Sequence, residues 1–146
     1  MDLQLATELR AQQAELLDVL KECTGATGEP LRNALRKLRP LVERHLDSKD
    51  RLYVAIRELC ASTGDAGGAQ IAGIFETNMR VLGTAIRRFF TDLEAPRSPD
   101  ALAQSFRTIE GVLRNRLDTE SKAVLPIFER QMKKLQSAAQ PQGGNR

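Results

Sequence analysis

Apolar residues recur along this chain at alternating intervals of four and three, the spacing that lines one face of a packed α-helix. The clearest run is Leu31, Leu35, Leu38, Val42, His45, Lys49, Leu52, Ile56 and Leu59. The same face returns 71 residues later as Leu102, Phe106, Ile109, Leu113, Arg116, Glu120, Ala123 and Ile127. In both copies a polar pair interrupts the seam at the same place, so that His45 maps to Arg116 and Lys49 to Glu120. The local strings agree as well, His45-Leu46-Asp47-Ser48 against Arg116-Leu117-Asp118-Thr119. The pattern therefore predicts two helices of one bundle with matched polar positions in mid-seam.

Two further helices complete the arrangement. Helix one is expected from Asp2 to Cys23, with Leu5, Leu9, Leu16, Val19, Leu20 and Cys23 facing inward and Gln12 and Gln13 breaking that face. Pro30 is placed to open helix two, which runs to about Ser62 and carries Pro40 without losing the phase of its seam. After the turn Thr63 to Gly68, helix three is expected to face inward with Ile71, Phe75, Leu82, Ala85 and Phe89, and with Asn78 filling the gap. Ser98-Pro99-Asp100 then reads as cap, first-turn proline and first-turn acid of helix four, which extends to about Ser137 through an internal Pro126. Gly83 and Gly111 fall inside helices, where close approach of a neighbouring helix is the expected reason. Four amphipathic helices with short connections predict an all-α, up-down-up-down four-helix bundle over residues 1–137, followed by a disordered tail at 138–146.

Composition narrows the classes of function. Aromatics make up only 4% and Trp is absent, which suits an aliphatic helical core. The 22 basic residues are interleaved with 19 acidic ones, so the net charge of +3 forms no stripe, and no nucleic-acid-binding motif accompanies it. Nucleic acid is not an expected partner. No apolar run is long enough to span a bilayer and the N-terminal segment does not read as a signal peptide, so the expectation is a cytoplasmic protein. Cys23 and Cys60 fall at opposite ends of neighbouring helices and are expected to stay reduced.

The seams direct Gln13 (or Gln12), His45, Lys49, Asn78, Arg116 and Glu120 toward one interior layer, where bundles build metal and cofactor sites. At this point the chain resembles the hemerythrin-like, or HHE cation-binding, family. Its pattern is a His in helix one, HxxxE and an apolar-aromatic-Pro step in helix two, a His in helix three, and HxxxE with the same step in helix four. Here His45 to Lys49 stands at the first such motif, and Arg116 to Glu120 followed by Val124-Leu125-Pro126 at the second. Carried over by position, the resemblance puts Gln13, His45, Lys49, Asn78, Arg116 and Glu120 where the family has its ligands, and only His45 and Glu120 keep a ligand's identity. Lys49 and Arg116 offer donors alone and bring positive charge to the place of the cations, so a di-iron site is not expected.

What the resemblance then implies is a hemerythrin-like domain without its metal, acting as a non-enzymatic regulatory or protein-interaction module. Its partner would be another protein, and a homodimer is compatible with the pattern. Lys49 and Glu120 are expected to form an interior ion pair across helices two and four, the core of a polar plug. No cofactor is expected. A first alternative is a residual metal-binding or oxygen-responsive sensor in which His45 and Glu120 hold iron. A second is signalling by histidine phosphotransfer through His45, the one His of the chain.

Overall fold

The computed structural model describes residues 4–139. They form four long helical arms with no strand among the described residues: α1 (Gln4–Cys23), α2 (Gly28–Thr63), α3 (Ala66–Thr91) and a fourth arm made of α4 (Pro99–Thr119), a π-helical turn (Glu120–Val124) and α5 (Leu125–Ala139). The expected tail lies outside the described residues except for its first two positions, Ala138 and Ala139, which continue α5.

Helix α2 is the axis of the molecule and packs against α1, α3, α4 and α5. All nine residues of its seam are buried, from Leu31 through His45 and Lys49 to Leu59. The helix is unbroken at Pro40. It opens slightly before Pro30, on Gly28, whose φ of +60° belongs to the left-handed region that glycine enters freely. It closes on Gly64, again left-handed at φ 71°, whose N–H bonds the Cys60 carbonyl. The inward face of α1 is as read from the sequence, with Leu5, Leu9, Leu16, Val19, Leu20 and Cys23 buried. Both cysteines are buried and free. Burial, with the nearby Glu22 and Glu110 carboxylates, pushes the Cys23 thiol up to about 11, so it stays a protonated core residue.

Helix α3 departs from expectation. Asp65 caps it by accepting the Gly68 N–H at 2.8 Å, so Gly67 and Gly68 belong to the first helical turn and not to the connection. The buried residues are Ala72, Met79, Gly83, Ile86, Phe89 and Phe90, so of the expected set Phe89 is buried, Phe75 and Leu82 are half-buried, and the rest of the inward face lies one position on. Asn78 and Ala85 are exposed, and Ile71, Ile74 and Val81 keep 50%, 58% and 67% of their surface in water. Small residues lie on the inward face, and a methyl placed on Gly83 would stand 3.9 Å from Leu46 Cδ2, an ordinary contact, so close approach does not require glycine there. Gly111 meets nothing within 4 Å, so close helix approach does not account for it.

The fourth arm also differs from a single helix. Pro126 has no N–H for the Lys122 carbonyl and its ring would crowd that group. The preceding turn widens instead, and the Leu125 N–H bonds the Glu120 carbonyl five residues back. The extra residue advances the seam, burying Val124 and Leu125 and leaving Ala123 only half-buried. Ser98 caps α4 through the Ala101 N–H at 3.1 Å, with Pro99 in the first turn as expected.

Candidate functional site: a buried polar layer

Midway along the bundle the apolar core gives way to charge. Glu120, at the start of the π turn, is 2% exposed, and Lys49 and His45 of α2 are 4% and 2% exposed. Lys49 Nζ stands 3.0 Å from Glu120 Oε1. The approach lies off the hydrogen-bond direction, so Oε1 has no hydrogen-bond donor and the contact is coulombic. The other carboxylate oxygen, Oε2, accepts from Gln13 Nε2 and lies 2.8 Å from His45 Nε2. One carboxylate thus gathers side chains from α1 and α2.

Further hydrogen bonds fix these partners. Gln13 Oε1 accepts from Ser121 Oγ at 2.9 Å. His45 Nδ1 is 2.7 Å from the Gln12 side-chain amide, whose other end meets Ser48 Oγ at 3.0 Å. Arg51 donates to Ser48 Oγ and to Glu8 Oε1, closing the network at the surface. Both glutamines therefore serve the layer, Gln13 through Glu120 and Gln12 through His45. Burial, and then the Lys49 charge, lowers His45 to about 3, against the pull of the adjacent carboxylate. The ring is neutral: a protonated one would add a further cation to a buried pair already balanced. A neutral ring has a single N–H, which donates either to Glu120 Oε2 or to Gln12 Oε1 according to its tautomer.

Lys49 itself is lowered to about 7, first by burial and then by the Arg116 charge. Its remaining contact is the Met79 sulfur at 3.3 Å. Arg116 is half-buried, with Nε enclosed and without a partner. It lines, with His45, Lys49 and Met79, a cavity of about 10 Å³, room for at most one water.

Of the six positions read from the sequence, Gln13, His45, Lys49 and Glu120 come together, Arg116 borders them, and Asn78 does not take part. The α3 contribution to the layer is Met79, because the helix is rotated by one residue from the expected face. Gln12, Ser48 and Ser121 complete the hydrogen bonding. Ser121 follows Glu120 directly and would diverge from it on a regular helix; it reaches Gln13 from within the π turn.

The arrangement does not fit a di-iron centre. Among the described residues no three His, Cys, Asp or Glu side chains are grouped as metal ligands. The two that meet, His45 and Glu120, are turned on each other, and an ammonium fills the space beside the carboxylate. Nor does His45 offer a ring nitrogen to an incoming phosphodonor, since it is buried with both nitrogens engaged.

Comparison with family models, with curated proteins and with solved structures finds no match to this chain.

Proposed function

We propose that this chain is a hemerythrin-like bundle of up-down-up-down topology in which the metal layer has become a metal-free polar plug, and that it acts as a non-enzymatic regulatory or protein-interaction module. The carrying observation is the buried Lys49 Nζ 3.0 Å from Glu120, a side-chain amine where the resemblance would have a metal ion. Cross-helix pairs support the topology. Late α1 meets early α2 at Glu22 and Lys37, early α1 meets later α2 at Glu8 and Arg51, and Asp47 and Arg57 of α2 pair in reverse order with Arg87 and Glu76 of α3. Arg10 of α1 pairs with Glu129 near the end of the fourth arm, while Thr24 pairs with Glu110 near its beginning. The π turn at Glu120, beside the Val-Leu-Pro step, supports the same reading, since such turns recur at functional positions of helices. No helix among the described residues is long and apolar enough to cross a membrane.

Restoring the ligands tests this ancestry. With α3 placed as it is, the quadruple variant Gln13→His, Lys49→Glu, Met79→His and Arg116→His is expected to bind iron, which elemental analysis reads directly. The matched variant carrying Asn78→His in place of Met79→His is expected to bind less, because position 78 faces water. A folded quadruple variant that holds no transition metal would remove the hemerythrin-like reading.

A further inference from the structure

The apolar residues that α3 leaves in water are not scattered. Ile71, Ile74, Asn78, Val81 and Ala85 follow one another at intervals of three, four, three and four along a single face. That is the spacing of a helix-to-helix seam, and it is the seam the bundle does not use. Single exposed hydrophobics need no explanation, but a coiled-coil register on an outer face does. Half-buried Phe75 and Leu82 widen one flank toward a groove over α4 lined by Thr108 and Val112. The other flank is Gln70, Thr77 and Thr84, all without charge.

We propose that this face of α3 is a homodimer interface, in which two copies pack their α3 helices antiparallel about a two-fold axis through Asn78. The proposal names the partner for the interaction module proposed above and rests on that reading. The pattern is self-complementary. About Asn78 the stripe is nearly symmetric, so Ile71 of one copy comes level with Ala85 of the other and Ile74 lies within one residue, about 1.5 Å, of Val81. An isologous interface requires this of a single patch. The charges agree with a second copy and not with an oppositely charged stranger. The neutral flank of Gln70, Thr77 and Thr84 meets its own image without repulsion, whereas Arg87 and Arg80 point to the far side and are held by Asp47 and Glu76. Arg88, the one charge on the line of the stripe, comes level with Gly68 of the copy, about 5 Å along the axis from Asp65. Asn78 on the axis meets its own image, and a polar residue at such a place fixes register at a cost in stability.

Size sets the expected strength. The stripe runs about 21 Å from Ile71 to Ala85, shorter than the face needed to bury the roughly 800 Å² per partner of a standard interface. The dimer is therefore reversible, with Kd on the order of micromolar.

Sedimentation velocity over a concentration series from about 1 to 300 µM tests it on the full chain. Wild type shifts from monomer to dimer, while Ile74→Glu and Val81→Lys, each checked for native helicity, weaken association at least about tenfold. Mixed in equal amounts the two variants dimerise again, because Glu at 74 of one copy lies within one residue of Lys at 81 of the other. A wild type monomeric throughout overturns the proposal and leaves the stripe to a different protein's helix. Unchanged dimerisation of both variants overturns it in favour of another surface, and failure of the mixture overturns the antiparallel register. None of these outcomes bears on the metal-free layer, which iron content tests separately.

Discussion

Glu120→Gln is expected to destabilise the protein by about 3 to 5 kcal/mol, the cost of leaving a buried charge without its partner. An exposed pair would be worth at most about 1 kcal/mol, and the two side chains here are only 5% and 3% exposed. Glu120 also accepts from Gln13 and lies against the His45 ring, so its loss is felt at three places. Lys49→Met should cost less than Glu120→Gln, because the carboxylate left behind keeps those two hydrogen bonds. The double variant Lys49→Met, Glu120→Gln carries no charge in the layer and should recover about 2 to 3 kcal/mol relative to the sum of the singles. Urea midpoints of the three variants measure this. Singles that each change stability by tenths of a kcal/mol and simply add would mean that the pair contributes nothing.

Acid is expected to unfold the wild type in part through His45. Its pKa is lowered from 6.5 to about 3 in the folded state, so between those values the unfolded chain holds a proton that the folded chain does not. Stability then rises with pH across that window and is lost as pH falls through it, by about 1.4 kcal/mol per pH unit for one proton. Lys49, lowered from 10.5 to about 7, has the same sign in a second window, and stability should rise again from near neutrality toward pH 10.5. Urea midpoints measured from pH 4 to 10 should show both slopes in wild type. His45→Gln should lose the acid component and Lys49→Met the alkaline one. Superimposable curves for wild type and variants would contradict the neutral ring and the strained ammonium.

The two stretches that decide these results differ in how plainly the sequence reveals them. Helix α2 is legible because its inward residues are large and aliphatic on both sides of the polar pair, so only one face can be buried. Lys49 and Glu120 follow from that phase, and the spacing alone directs them toward each other. Helix α3 is ambiguous because it carries two apolar faces. The one turned inward is built partly from Ala72 and Gly83, which a hydrophobic count undervalues, while Ile71, Ile74 and Val81 carry more weight and point to water. That weighting points Asn78 into the layer, whereas Met79 is the residue that reaches Lys49. Pro126 signals a disturbance in the fourth arm but not its form. A widened π turn and a bend interrupt the same sequence, and only the turn brings Ser121 to Gln13. The hydrogen bonds of Gln12 and Gln13 escape a choice of one or the other, since adjacent residues on a helix edge can serve two partners at different depths.

Under the proposed function a lysine side chain stands in the bundle interior where a metal would otherwise sit. Elemental analysis of protein purified after growth with added iron tests it most directly, together with the near-ultraviolet spectrum of the same sample. A small fraction of one iron per chain is expected, with none of the bands of an oxo-bridged di-iron centre and the same urea midpoint with or without chelator. Stoichiometric iron accompanied by those bands would contradict it.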